Sequence, residues 1–124
     1  MTDKRPLIAV VDDDESVRES LPDLLREFGF DADAFASAEA FLASGVMGET
    51  ACLILDVSMS GMSGPELQLE LTRRGIEVPI VFITAQGDES IRERLIAAGA
   101  VECLFKPFGD AALLDALNAA IRKV

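Results

Sequence analysis

The chain is 124 residues long, carries 11 Lys plus Arg against 22 Asp plus Glu, and contains no His, Trp or Tyr. Its length suits one domain, and a hydrophobic content of 50% supports a core and argues against disorder. The absence of His excludes Ser-His or Cys-His catalysis, His-ligated metals and a phosphohistidine carrier, and the formal charge of −11 disfavours binding of nucleic acid or an anionic membrane by this segment.

The N-terminal Met1-Thr2-Asp3-Lys4-Arg5-Pro6 lacks the apolar stretch of a signal peptide, and a cytoplasmic protein is expected. No apolar run approaches the ~20 residues that span a bilayer. Leu7-Ile8-Ala9-Val10-Val11 reads as a strand buried on both faces. Val17, Leu21, Leu24, Leu25 and Phe28 then fall at helical spacing, with Gly29 at the expected C-terminus. Pro22 inside that helix removes a backbone donor, so a kink near Arg18 to Pro22 is expected. Asp33-Ala34-Phe35 is a weaker strand signal near a sheet edge, and Ser37 to Ala43 reads as a short helix. Cys52-Leu53-Ile54-Leu55 is the next buried strand. Ser63 with Glu66 fits a capping box ahead of Leu67 and Leu71, and Gly75 closes that helix. Ile80-Val81-Phe82-Ile83 is the fourth strand. Asp88 is placed at the N-cap of a helix striped by Ile91 and Leu95 and closed by Gly99. Val101 to Phe105 is the fifth strand. Asp110 is placed at the cap of a last helix carrying Leu113, Leu114, Leu117, Ala120, Ile121 and Val124.

A β-α unit repeated five times predicts an α/β fold: a three-layer, doubly wound, five-stranded parallel sheet with right-handed crossovers. Residues 1–124 are expected to form a single domain. Four strands end in polar or charged residues at their carboxyl side: Asp12, Asp13 and Asp14 after the first, Asp56 at the third, Thr84 at the fourth and Lys106 at the fifth. Open α/β sheets bind ligands at these ends, where the strand order reverses. If the order is the flavodoxin-like 2-1-3-4-5, the first and third strands are neighbours and Asp12, Asp13 and Asp56 converge. Clustered carboxylates repel, so protons or a cation must neutralise them. An all-oxygen set with open positions suits Mg2+, which keeps several waters and bridges phosphates. With a Lys, a hydroxyl and a nucleophilic carboxylate alongside, the pattern is one for phosphoryl transfer. Any one of these residues alone carries little signal; four in order on four strands carry much more.

Val11-Asp12-Asp13-Asp14-Glu15-Ser16-Val17-Arg18, Leu55-Asp56, Ile83-Thr84-Ala85 and Phe105-Lys106-Pro107-Phe108 together resemble the receiver domain of bacterial two-component response regulators. The resemblance spans essentially the whole chain, and Ser37-Ala38-Glu39-Ala40-Phe41-Leu42 with the Lys-Pro-Phe run is most similar to the FixJ branch. It implies a phosphorylation-controlled signalling switch rather than an enzyme with a diffusible substrate. Asp56 would accept a phosphoryl group from a sensor histidine kinase. Asp13, Asp56 and the Ser58 carbonyl would ligate Mg2+, with Asp12 helping to place the metal. Lys106 and Thr84 would contact the phosphoryl oxygens, and the Lys106-Pro107 bond would be cis. Output would pass through the face of the fourth helix, fifth strand and fifth helix, which in related regulators dimerises or releases a DNA-binding domain. Arg92, Glu93, Arg94, Asp115 and Lys123 are available there.

The sequence departs from the family pattern in four places, one of them a pair of residues. Met59 is followed by Ser60 instead of Pro, which with Gly61 and Gly64 nearby removes a backbone restraint from the loop after Asp56. Cys103 stands three before Lys106, where an aromatic switch residue is common. Ser58 and Gln86 occupy the variable positions flanking the phosphorylation site, and Pro22 is foreign to the usual first helix. Cys52 and Cys103 would lie across one intervening strand, near ~9–10 Å apart, beyond the ~7 Å limit for a disulfide. Two alternatives remain open on sequence. One is a Mg2+-dependent phosphatase or phosphotransferase of the haloacid dehalogenase type; Asp12-Asp13-Asp14-Glu15 lacks the usual follower of that motif and there is no cap domain. The other is a receiver-like interaction module that is not phosphorylated.

Overall fold

The computed structural model describes residues 5–85 and 87–122, so Gln86, Lys123 and Val124 lie outside the described residues. Five strands alternate with five helices: β1 Leu7–Val11, α1 Glu15–Glu27, β2 Asp31–Phe35, α2 Ala38–Ala43, β3 Thr50–Asp56, α3 Gly64–Arg73, β4 Ile80–Thr84, α4 Glu89–Ala97, β5 Glu102–Phe105 and α5 Asp110–Arg122. A short 3-10 turn at Met47–Glu49 precedes β3. The strands are all parallel in the order β2-β1-β3-β4-β5, the flavodoxin-like arrangement. β2, the weakest strand by sequence, takes one edge and buries only Ala32, whereas β4 is buried throughout. No helix among the described residues is long and apolar enough to cross a membrane.

Alternate residues of the central strands feed two cores, one on each side of the sheet. Ile8, Val10, Cys52, Ile54, Val81 and Ile83 pack with Leu21 and Leu25 of α1 and Leu113 and Leu117 of α5. Ala9, Val11, Leu53, Leu55 and Phe82 pack with Phe41 of α2, Leu67 and Leu71 of α3 and Leu95 of α4. This two-sided burial is why the strands read as unbroken apolar runs. It also separates the cysteines more firmly than strand spacing does. Cys52 belongs to the first core and Cys103 to the second, so they face opposite sides of the sheet, and both are free thiols.

Local chemistry sets the helix ends. Asp14, Ser37, Ser63 and Asp88 each accept a backbone N–H as N-cap, and Ser63 with Glu66 forms a complete capping box. Gly29 follows α1 with φ +98°, its N–H on Arg26 O and the Phe30 N–H on Leu25 O, which closes the helix in a Schellman motif. The same bonds end α3 and α4. One expected cap is displaced. Asp110 is the first residue of α5, and Leu113 N–H instead bonds Gly109 O. An acidic residue inside the first turn still suits the helix dipole, which is why the sequence pattern looks alike in both registers. α1 runs unbroken through Pro22, whose ring is buried.

Candidate functional site

The β2-β1-β3 order leaves the carboxyl ends of β1 and β3 side by side. Val11 is level with Leu55, so the residues that follow, Asp12 and Asp56, meet at the rim. Asp12, Asp13 and Asp56 each offer a carboxylate oxygen, and these oxygens all lie within 4.8 Å of one another. Asp12 and Asp56 are buried at 0% and 6% exposure, while Asp13 is open to solvent. Asp14 does not join them; its carboxylate caps α1 through the Ser16 N–H and hydroxyl. Asp12 is held from two sides: Asp14 N–H donates to its Oδ1 at 2.9 Å, and Arg18 donates to its backbone carbonyl at 3.1 Å.

β5 ends beside the same rim, because Thr84 is level with Phe105 and Lys106 N–H bonds Thr84 O at 2.8 Å. The Lys106-Pro107 bond is cis, as the family resemblance implies. Lys106 Nζ reaches across to Asp12 Oδ2 at 2.9 Å and lies 3.7 Å from Asp56 Oδ1. Thr84 is buried at the end of β4. Ser58 lies two residues beyond Asp56 on the exposed β3–α3 loop.

One cation does not balance three carboxylates. Burial and then the charge of Asp12 push Asp56 up to about 6, with Lys106 opposing and Asp13 adding to the rise. Lys106 shows the reverse balance. Burial alone would lower it, but its hydrogen bond to Asp12 and the charges of Asp56 and Asp12 raise it. An excess of hard oxygen ligands at one point, partly exposed, is the donor chemistry of a small divalent cation.

The profile of the response regulator receiver domain matches residues 8–118. The chain belongs to that family. This receiver is 44% identical over 119 residues to Nodulation protein W of Bradyrhizobium diazoefficiens, covering 96% of this chain and 52% of that protein. Among solved structures, response regulator StyR superposes with a TM-score of 0.87 at 48% identity, over 95% of this receiver and 60% of StyR. The crystal structure of FixJ-N superposes with a TM-score of 0.85 at 36% identity, over 100% of this receiver and 98% of that chain. The chain thus spans about half the length of the curated relatives it matches. It is the receiver of a two-component response regulator, a phosphorylation-controlled switch.

The receiver brings Asp12, Asp13, Asp56 and Lys106 together at the strand ends, and it adds residues that sequence reasoning passed over. Gly64, the first residue of α3, is pressed against the Asp56 carbonyl and the Phe82 ring, where a Cβ has no room. It serves close approach there rather than loop freedom. Gly87, beyond β4, lies under the Phe105 ring with equally little space. Cys103, three residues before Lys106, is buried, and Phe105 is level with Thr84. Glu39 reaches from α2 to the β3–α3 loop, where Met62 N–H donates to its Oε2 at 3.1 Å. A Gly beside a turn and a Glu in a first helical turn are too common for sequence alone to single these out. On the expected output face, Arg92 is already engaged, pairing with Glu102 of β5 at 2.8 Å and Glu89 at 3.4 Å.

Proposed function

We propose that residues 1–124 act as one receiver unit in which Asp56 is the phosphoryl acceptor. The observation that carries this reading is the convergence of three carboxylates within 4.8 Å under a lysine ammonium 3.7 Å from Asp56. A carboxylate oxygen of Asp56 attacks phosphorus in a phosphohistidine of a sensor kinase. The P–N bond breaks, an O–P bond forms, and the histidine leaves with its electron pair. Asp13, Asp56 and the Ser58 carbonyl would hold Mg2+, with Asp12 placing it. When bound, Mg2+ offsets the negative charge that otherwise keeps phosphate away from these carboxylates. Lys106 neutralises phosphoryl oxygens, and the Thr84 hydroxyl donates to the phosphorylated Asp56. In the cytoplasm, the phosphorylated form would shift the α4–β5–α5 face toward a homodimer or a released output domain.

The test is intact mass after incubation with a small acyl phosphate and Mg2+. A phosphoryl adduct is expected on wild type and none on Asp56→Ala. No adduct on wild type, or an equal adduct on the variant, overturns the assignment.

A further inference from the structure

The loop after β3, Val57-Ser58-Met59-Ser60-Gly61-Met62-Ser63, contains no proline. Two carboxylates from distant elements hold it instead. Ser60 N–H donates to Asp13 Oδ2 at 3.3 Å, a donor that a proline at this position would lack. Met62 N–H donates to Glu39 Oε2 at 3.1 Å across 23 residues of sequence. Between these bonds Gly61 has φ +75°, and a Cβ there would stand 3.0 Å from Glu39 Oε2, so the Glu39 carboxylate also covers the one left-handed residue of the loop. Glu39 itself is fixed by its place in the first turn of α2, which Ser37 caps. The loop is therefore clamped at its far side by α2 and at its near side by a candidate metal ligand.

We propose that Glu39 is a positioning residue for the cation site, restraining the β3–α3 loop where a proline restraint is missing. It holds Met62 and Gly61 so that the Ser60 N–H stays on Asp13, which restrains the loop that carries the Ser58 carbonyl. The proposal rests on the Mg2+ reading above. Neither bond places Glu39 in contact with the cation; its effect passes through the loop backbone, as outer-shell partners orient ligands.

The experiment compares wild type, Glu39→Gln and Glu39→Ala by two measurements. Amide hydrogen exchange without metal reads the brace, and titration calorimetry with Mg2+ reads its consequence. Glu39→Ala is expected to accelerate exchange at Met62 and Ser60 and to weaken Mg2+ binding roughly three- to tenfold. Glu39→Gln, which keeps an acceptor oxygen, is expected to restore most of both. Unchanged exchange at Met62 and Ser60 in Glu39→Ala overturns the proposal. Equal weakening of Mg2+ binding in both variants also overturns it, because that result assigns the effect to charge. A wild type that binds no Mg2+ overturns the metal reading and this role with it, and is distinguished by failing before any variant is compared.

Discussion

Lys106 Nζ sits 2.9 Å from Asp12 Oδ2, although 94 positions separate the two residues in the chain. Asp12 is fully buried, and this ammonium is its paired cation. The same ammonium occupies charge space that a metal would otherwise fill. Lys106→Met is therefore expected to have opposite effects on two measurements. Metal-free stability falls by about 2–4 kcal/mol in urea unfolding, because a buried carboxylate loses its partner. Mg2+ affinity rises about three- to tenfold by calorimetry, because a competing positive charge is gone. A variant that weakens Mg2+ binding contradicts this account.

The raised Asp56 predicts how stability follows pH. Its ordinary value of 3.8 is pushed to about 6 by burial and by Asp12. A carboxyl raised on folding stabilises the native state while protonated. That contribution is complete below about pH 4 and is lost as pH rises through about 6. The metal-free protein should thus lose up to about 3 kcal/mol from this group across the window. Asp56→Asn cannot ionise and should escape the loss. Urea unfolding of both proteins should give curves that stay parallel below the window and separate above it, with the variant more stable at neutral pH. A constant difference at every pH is the contrary result.

Gly64 tests whether α3 must start hard against the phosphorylation strand. A methyl at this position meets the Asp56 carbonyl and the Phe82 ring, neither of which can yield freely inside the sheet. Gly64→Ala is expected to cost about 2–4 kcal/mol in urea unfolding. It should also lower the yield of the Asp56 adduct by intact mass, since the displaced carbonyl belongs to that residue. Gly61→Ala is strained at φ +75° and crowds the Glu39 carboxylate, but its three nearest neighbours are all Glu39 side-chain atoms, so the Asp56 adduct should fall less than in Gly64→Ala.

The Phe105 ring of β5 lies against Gly87 of the β4–α4 loop and leaves no room there for a Cβ. Gly87→Ala is expected to destabilise by about 1–3 kcal/mol through overpacking. Phe105→Leu should relieve that clash, so a double-mutant cycle should show a coupling of at least about 0.5 kcal/mol. Additive effects would mean that the ring does not rest on the loop.

Element order was legible because each element announces itself over a few residues. Apolar runs such as Ile80-Val81-Phe82-Ile83, the capping box of Ser63 and Glu66, and Gly29 at the end of α1 all act locally. The strand-end residues Asp12, Asp56, Thr84 and Lys106 were legible for the same reason, since a strand boundary and a polar residue are both short-range signals. Boundaries shifted where the local pattern is degenerate, as at Asp110, which suits either the cap or the first turn. β2 begins at Asp31, ahead of its recognisable apolar residues, because pairing with Leu7 rather than side-chain pattern extends it.

The sequence by itself determined the kinds of elements, their order and the residue types at each strand end. Only the tertiary structure decided which of those residues touch. Strand order and register put Asp12 beside Asp56 and bring Lys106 to both. The side of the sheet decides that Cys52 and Cys103 face apart. Helix seating decides that Glu39 holds Met62, and close packing decides that Gly64 and Gly87 have no room for a side chain. The physical reason is range. Periodicity and caps are set within one turn of chain, whereas a contact between distant residues exists only once two buried faces have chosen a common register and closed on each other.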